Sequence, residues 1–403
     1  MRLTVRDFMS THKARYAQLC DQDLGGVPLF YPTLYGSLRL WLKPQNTQRE
    51  ILHSIQRLYE WAEQRGIDLD ERFASRMLLT PYEIDSLGDF LLRKKNATNQ
   101  PIRGSKFNAR CRHIYRYLEW LAPTLIEHSN AEIGANIGRM LASIDALKKP
   151  IASSHQRHRD MLAKHLAEPA RDALIALFNN PTEGIARSAH HGAAIRNAVM
   201  LEILYETGMR VGELLSLKLK DFTPARGGDH ATLVIRRNHD DPFDRRLRQP
   251  VAKTLGRHIG ITEHLSRRIQ SYLRETRANV PNVEFTDESF IFINHRRTAN
   301  QGQALEMKAF QNAVGALRSC RPALKALHPH LLRHDWNYRF SQEAERRGLT
   351  ETQESAERCI LMGWVPHSEM AAIYNLRHIQ ESAAKTGLMT ANHVADRRRI
   401  NKT

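Results

Sequence analysis

Apolar residues recur at helical spacing through much of the chain. Leu52, Ile55, Leu58 and Ala62 share one face, and Gly66 follows as a stop. Thr47 with Glu50 three residues later forms a capping-box pattern, so the predicted helix takes Thr47 as its N-cap. Phe107, Cys111, Ile114, Leu118 and Leu121 make a second stripe and predict a helix over 105–121; a third is predicted over 137–147. The first forty residues pattern weakly. A short helix over 5–20 and a strand over 37–42 are expected there, in an extension to which no role is assigned.

After a polar, basic stretch with one proline and two serines, read as a linker over 148–160, helical spacing returns at 169–179, 193–206 and 210–217. The period then changes. ATLVIRR at 231–237 is rich in β-branched residues and predicts a strand, followed by a long polar turn and a second strand at 257–261. Helices are predicted again over 262–277, 305–319, 331–345, 351–362 and 367–375. The expected fold is mainly α: an N-terminal all-helical domain over 41–147, and a mostly helical domain with a small antiparallel sheet over 161–403.

Composition sharpens this picture. A chain of 403 residues suits two domains, and 41% hydrophobic with 26% charged residues is the balance of a globular protein. The net charge of +17 is unusual and favours an acidic polymer as partner, because each Lys or Arg that neutralises a phosphate releases a condensed counterion. Cys20, Cys111, Cys320 and Cys359 are scattered without a CxxC pair, which argues against a zinc site or a disulfide framework. No signal peptide and no membrane-length apolar run is visible, so a cytoplasmic protein without membrane contact is expected. On the 105–121 helix, Lys106, Arg110 and His113 repeat one residue ahead of the apolar stripe, and Arg112 and Arg116 flank its other side. That face is either solvated or tracks phosphates; Lys106, Arg110 and Arg112 are the DNA-binding candidates.

Three segments carry candidate chemistry. In Thr207-Gly208-Met209-Arg210-Val211-Gly212-Glu213-Leu214, Gly208 permits a sharp turn and Arg210 opens the next helix. His330, Arg333 and His334 sit at i, i+3 and i+4 on one helical face, where a guanidinium between two imidazoles suits a phosphate better than a metal. Leu361-Met362-Gly363-Trp364 follows, with Tyr374 ten residues after Trp364. Taken singly, Trp364 would be core and Tyr374 an amphipathic surface residue.

Taken together, the order Arg, Lys, His-x-x-Arg, Trp, Tyr resembles the catalytic signature of the tyrosine recombinase (phage integrase) family over about 165–385. TGMRVGELLSL matches its first box; HPHLLRHDW, then LMGW and a tyrosine, match the second. The preceding helical domain resembles the family's core-binding domain. The resemblance implies DNA cleavage and rejoining through a 3′-phosphotyrosine at Tyr374. Arg210 and Arg333 would hold the phosphate oxygens and His330 would assist proton transfer, since a phenol with a pKa near 10 is poorly ionised at neutral pH. Trp364 would donate to the phosphate. The leaving 5′ oxygen would take its proton from Lys253, the single lysine between Lys220 and Lys308. Glu213 and His334 would support these groups from behind. Duplex DNA, a homo-tetramer on two DNA sites, and accessory DNA-bending or directionality proteins are the implied partners, in integration or excision of a mobile element. No cofactor, metal or ATP is expected. Alternatives are a type IB topoisomerase-like relaxing enzyme, a chromosome-dimer resolvase, a non-catalytic DNA-binding protein and a metal-dependent nuclease.

Four departures from the family pattern stand out. The step from Trp364 to Tyr374 is one residue long, to be absorbed within 365–369. Tyr338 is a rival nucleophile. Asp335 stands where a small hydroxyl residue is usual. The 238–248 loop carries Asp240, Asp241 and Asp244, expected to form a solvated turn. The basic segment 385–403, with Arg397, Arg398 and Arg399, is read as packing on a neighbouring protomer or as a frayed tail.

Overall fold

Alternation of period two organises the start of the chain. Leu3 and Val5 point inward from β1 (Leu3–Met9), and Ala17 and Leu19 do so from β2 (Arg15–Asp21). The strands pair antiparallel from Leu3 opposite Asp21 to Met9 opposite Arg15, and the short β3 (Val27–Pro28) joins β2 on its other edge. These strands replace the helix expected over 5–20. The molecule, a computed structural model, is described for residues 1–94, 100–126, 130–149, 165–227 and 229–400. It divides into two units, Met1–His155 and Gln156–Thr403.

In the first unit, α1 (Phe30–Tyr35) runs without a break into a π turn at Gly36–Leu40, where a strand had been expected over 37–42. Leu40 there points into the core rather than alternating along a sheet. Among the described residues five helices follow: α2 (Gln45–Gln64), α3 (Leu69–Ala74), α4 (Pro81–Leu92), α5 (Gly104–Leu125) and α6 (Ala131–Ala146). The α2 helix starts after Pro44, ahead of the Thr47 cap. Gln48 secures this start: its Nε2 donates to the Lys43 carbonyl at 2.9 Å and its Oε1 accepts from Ala17 N–H at 3.1 Å. Leu3, Val5, Ala17, Leu19, Tyr35 and Leu40 share one core with Ile55, Leu58, Ile114 and Leu118. The first forty residues are therefore part of this unit and not an appendage to it. The linker expected over 148–160 lies, from 150 onward, outside the described residues.

The second unit opens with α7 (Glu168–Asn179), α8 (His191–Thr207) and the single turn α9 (Val211–Leu214). A three-stranded antiparallel sheet follows, in the order β4 (Phe222–Thr223), β5 (Ala231–Ile235), β6 (Arg257–Ile261), with Ala231 opposite Ile261. The chain continues as α10 (Glu263–Ser271), α11 (Met307–Cys320), α12 (Pro329–Arg346), α13 (Glu351–Met362) and α14 (Glu369–Ile400). The last helix extends far past the 367–375 expected for it; the side chains of Arg397, Arg398 and Arg399 lie outside the described residues. The 238–248 connection is not the solvated turn that was expected. Asp244 is fully buried and pairs with Arg246 at 2.8 Å, whose Nη1 also donates to the Leu215 and Leu305 carbonyls; Asp241 pairs with Lys218 at 2.6 Å. A cation within the loop, Arg246, and one outside it, Lys218, draw these carboxylates inward.

Candidate active site

The site begins at the end of α8. Gly208 closes that helix in the left-handed region at φ 63°, and a Cβ there would sit 2.8 Å from the Trp336 ring. Only glycine fits both the dihedral and the gap. Trp336 Nε1 donates to the Glu206 carbonyl at 2.8 Å, and Arg333 Nη1 donates to the Gly208 carbonyl at 2.7 Å. These bonds pin α12 across the end of α8 and bring Arg333 next to Arg210, two residues on.

Arg333 is buried, with its Nη2 3.3 Å from the Met362 carbonyl. Burial, and after it the positive charge of Arg210, push its pKa down to about 10. Two cations confined together disfavour one another unless an anion joins them. Glu213 is the nearby carboxylate, but Arg257 holds it: Nη2 donates to its Oε2 at 2.8 Å. The Arg210 backbone N–H and the Thr254 hydroxyl also donate to it. Burial alone would raise the Glu213 carboxyl; these donors, Arg257 foremost, hold it below the usual range. Arg210 Nη1 stays 3.7 Å from Glu213 Oε1, outside hydrogen-bond reach.

α13 ends at Gly363 (φ 65°), and the next residue is Trp364. The Trp364 ring stacks on the Tyr374 ring at 5.3 Å, and the Arg333 guanidinium lies 5.4 Å from the Trp364 ring. His334 lies 4.7 Å from Tyr374, and His330 lies 5.4 Å from His334. His334, expected in a supporting role, thus packs against the tyrosine, and His330 packs on His334. In the turn after Trp364, His367 lies in the left-handed region at φ 59°. Among the described residues, three buried donors of this cluster have no acceptor: Arg210 Nη1, Arg333 Nε and Trp364 Nε1. Native proteins rarely leave such groups without an acceptor, and three in one place suit an anion with several oxygens.

Other candidates fall differently. The Tyr338 hydroxyl donates to Glu381, which occupies the rival nucleophile. Asp335 is buried between Arg171 at 2.9 Å and Arg339 at 3.0 Å, off the face that carries His330 and Arg333. Lys253 is exposed, and its loop is held on both sides: Ala252 N–H donates to Asn238 Oδ1, and Thr254 bonds Glu213. Gly212 lets α9 touch that loop, because a Cβ there would lie 2.6 Å from the Val251 carbonyl. In the first unit Lys106 and Arg112 are exposed, while Arg110 turns inward and caps α4 through the Leu91 carbonyl at 2.6 Å. Arg257 was missed. Its signal is an arginine on the inward face of a strand, in step with Ile259 and Ile261.

Part of the chain is similar to known proteins. The Phage integrase family model matches residues 177–345. Tyrosine recombinase XerD of Halalkalibacterium halodurans is 30% identical over 177 residues, 44% of this chain and 49% of its own. Tyrosine recombinase XerC of Staphylococcus haemolyticus is 24% identical over 194 residues, 48% of this chain and 53% of its own. The chain spans about half the length of the curated relatives it matches. The fold is shared with the XerH site-specific recombinase in its pre-cleavage complex with difH substrate. That structure has a TM-score of 0.51 and 15% identity, and the match covers 84% of this chain and 79% of that one. The likeness is thus to the phage integrase family, over residues 177–345, and to tyrosine recombinases among the curated relatives.

Proposed function

We propose that this protein is a site-specific DNA recombinase that cuts and rejoins DNA through a 3′-phosphotyrosine at Tyr374. The observation that carries this reading is the set of unpaired buried donors on Arg210, Arg333 and Trp364 beside the Tyr374 ring. A scissile phosphate seated there would accept from all three, and its negative charge would offset the burial and the Arg210 repulsion that lower the Arg333 pKa. The Tyr374 oxygen attacks phosphorus and its proton passes to the His334–His330 pair. The bond to the 5′ oxygen breaks, and Lys253 supplies the proton that leaves with it. Arginine cannot serve as that acid, because its pKa is too high. A 5′ hydroxyl from a partner strand reverses the step. One phosphodiester replaces another, so no nucleotide hydrolysis is required.

The substrate in this reading is duplex DNA in the cytoplasm, gripped in part by Lys106 and Arg112 of the first unit, with four protomers joining two sites in integration or excision of a mobile element. Accessory DNA-bending or directionality proteins complete the set of partners. The test is a library of nicked duplexes of random sequence incubated with the protein and resolved in SDS. The expected result is a covalent adduct mapped to Tyr374 by mass spectrometry, lost in Tyr374→Phe while DNA binding persists. An adduct that survives this substitution sinks the assignment; supercoil relaxation without strand exchange on the captured sequences would favour a relaxing enzyme.

A further inference from the structure

One buried side chain outside the expected catalytic set touches three of the segments that carry it. Arg257, at the start of β6, is only 7% exposed. Its Nη2 donates to Glu213 Oε2 at 2.8 Å, and Glu213 in turn takes the Arg210 backbone N–H at 2.9 Å. Its Nη1 donates to Thr254 Oγ1 at 3.1 Å, the residue after Lys253. Its Nε donates to the Leu361 carbonyl at 2.7 Å, three residues before Trp364. The main chain repeats the last link: Leu255 N–H donates to the Gly363 carbonyl at 2.9 Å. Space confirms the fit, since a Cβ on Gly363 would lie 2.7 Å from Arg257 Nη1. No other cation type offers this reach. A planar fork satisfies a carboxylate and two further acceptors at once, whereas an ammonium concentrates its donors at one point.

We propose that Arg257 is a positioning residue that locks the Arg210 turn, the Lys253 loop and the Trp364 turn into one register. It touches none of the reacting atoms itself. This inference rests on the strand-cleavage reading of the site. Its consequence is coupling: Arg257 acts through Glu213, so removing either should release the same lock.

The experiment is single-turnover adduct formation on a nicked duplex captured from the random library, with Arg257→Gln, Glu213→Gln and the double variant. Each single variant should slow adduct formation at least tenfold while its gel-shift affinity for the duplex stays within threefold of the wild type. The double variant should be no slower than the worse single. Wild-type speed in Arg257→Gln, or a double variant slowed by the product of the two singles, overturns the proposal. If Arg257→Gln does not fold, as judged by thermal melting, Arg257→Lys is read in the same cycle by the same criteria. A wild-type protein that forms no adduct on any duplex strikes the strand-cleavage reading and this one with it. A wild-type adduct that Arg257→Gln leaves unaffected strikes this one alone.

Discussion

At the scale of the residue, the site is defined by unpaired donors more than by unusual side chains. Arg210 Nη1, Arg333 Nε and Trp364 Nε1 are each buried without an acceptor among the described residues. Removing one preorganised donor from a developing oxyanion typically slows the reaction about 10²–10³-fold. Arg210→Ala should therefore cut the rate of adduct formation by about that factor, with a smaller effect on binding, as read by single-turnover gels. Lys253 differs because the role proposed for it is to give up a proton. Lys253→Ala should impair cleavage of ordinary DNA and recover on DNA with a 5′-phosphorothiolate, a leaving group that needs no proton. If the two substrates are slowed equally, Lys253 is not the acid.

At the scale of the element, α8 is the frame on which the site is hung. Its C-terminal turn needs Gly208 twice, for the dihedral and for the Trp336 ring. Gly208→Ala should cost about 1–3 kcal/mol from backbone strain alone, with a loss of adduct formation larger than that of stability, because Arg333 is fixed to the same carbonyl. Urea denaturation beside the cleavage assay separates the two effects. One turn earlier on α8, Glu202 is buried against Arg268 of α10 at 2.5 Å, with His264 at 3.6 Å. Burial outweighs the attraction of Arg268, and the like charge of Glu206 adds to it, so the Glu202 carboxyl is pushed from 4.5 up to about 7. The folded protein thus keeps a proton that the unfolded chain releases above pH 4.5. The stabilisation is full below that value and is lost as the pH rises through 7. Denaturation midpoints should fall across this window, and Glu202→Gln should flatten the fall; an unchanged slope in the variant would refute the assignment.

At the scale of the whole molecule, the two units keep separate cores, and the first depends on its opening strands. Leu19 is fully buried with Leu58 and Ile114. Leu19→Ala should cost about 2–5 kcal/mol, measured as a shift of one denaturation transition; a protein unaffected by the change would make the sheet dispensable. Among the described residues no helix is long and apolar enough to cross a membrane.

What the amino-acid sequence alone determined is what local order can encode. Helical spacing marked α2, α5 and α8, and the ordered residues Arg210, Lys253, His330, Arg333, Trp364 and Tyr374 carried the family resemblance, because motif order is one-dimensional. The opening strands were illegible because seven residues of alternation mean little until a partner strand and a helix cover one side. The acidic loop was misread for a similar reason: Lys218 and Asp241 lie far apart in the chain and meet only in the folded unit. Arg257 and Glu213 are separated by 44 positions, and although Glu213 falls in the first box, nothing in sequence pairs Arg257 with it. Tertiary structure alone decided that they bury each other, that His334 packs against Tyr374, and that three buried donors gather beside that ring. Each of these depends on contacts across the fold, where desolvation sets the worth of a charge.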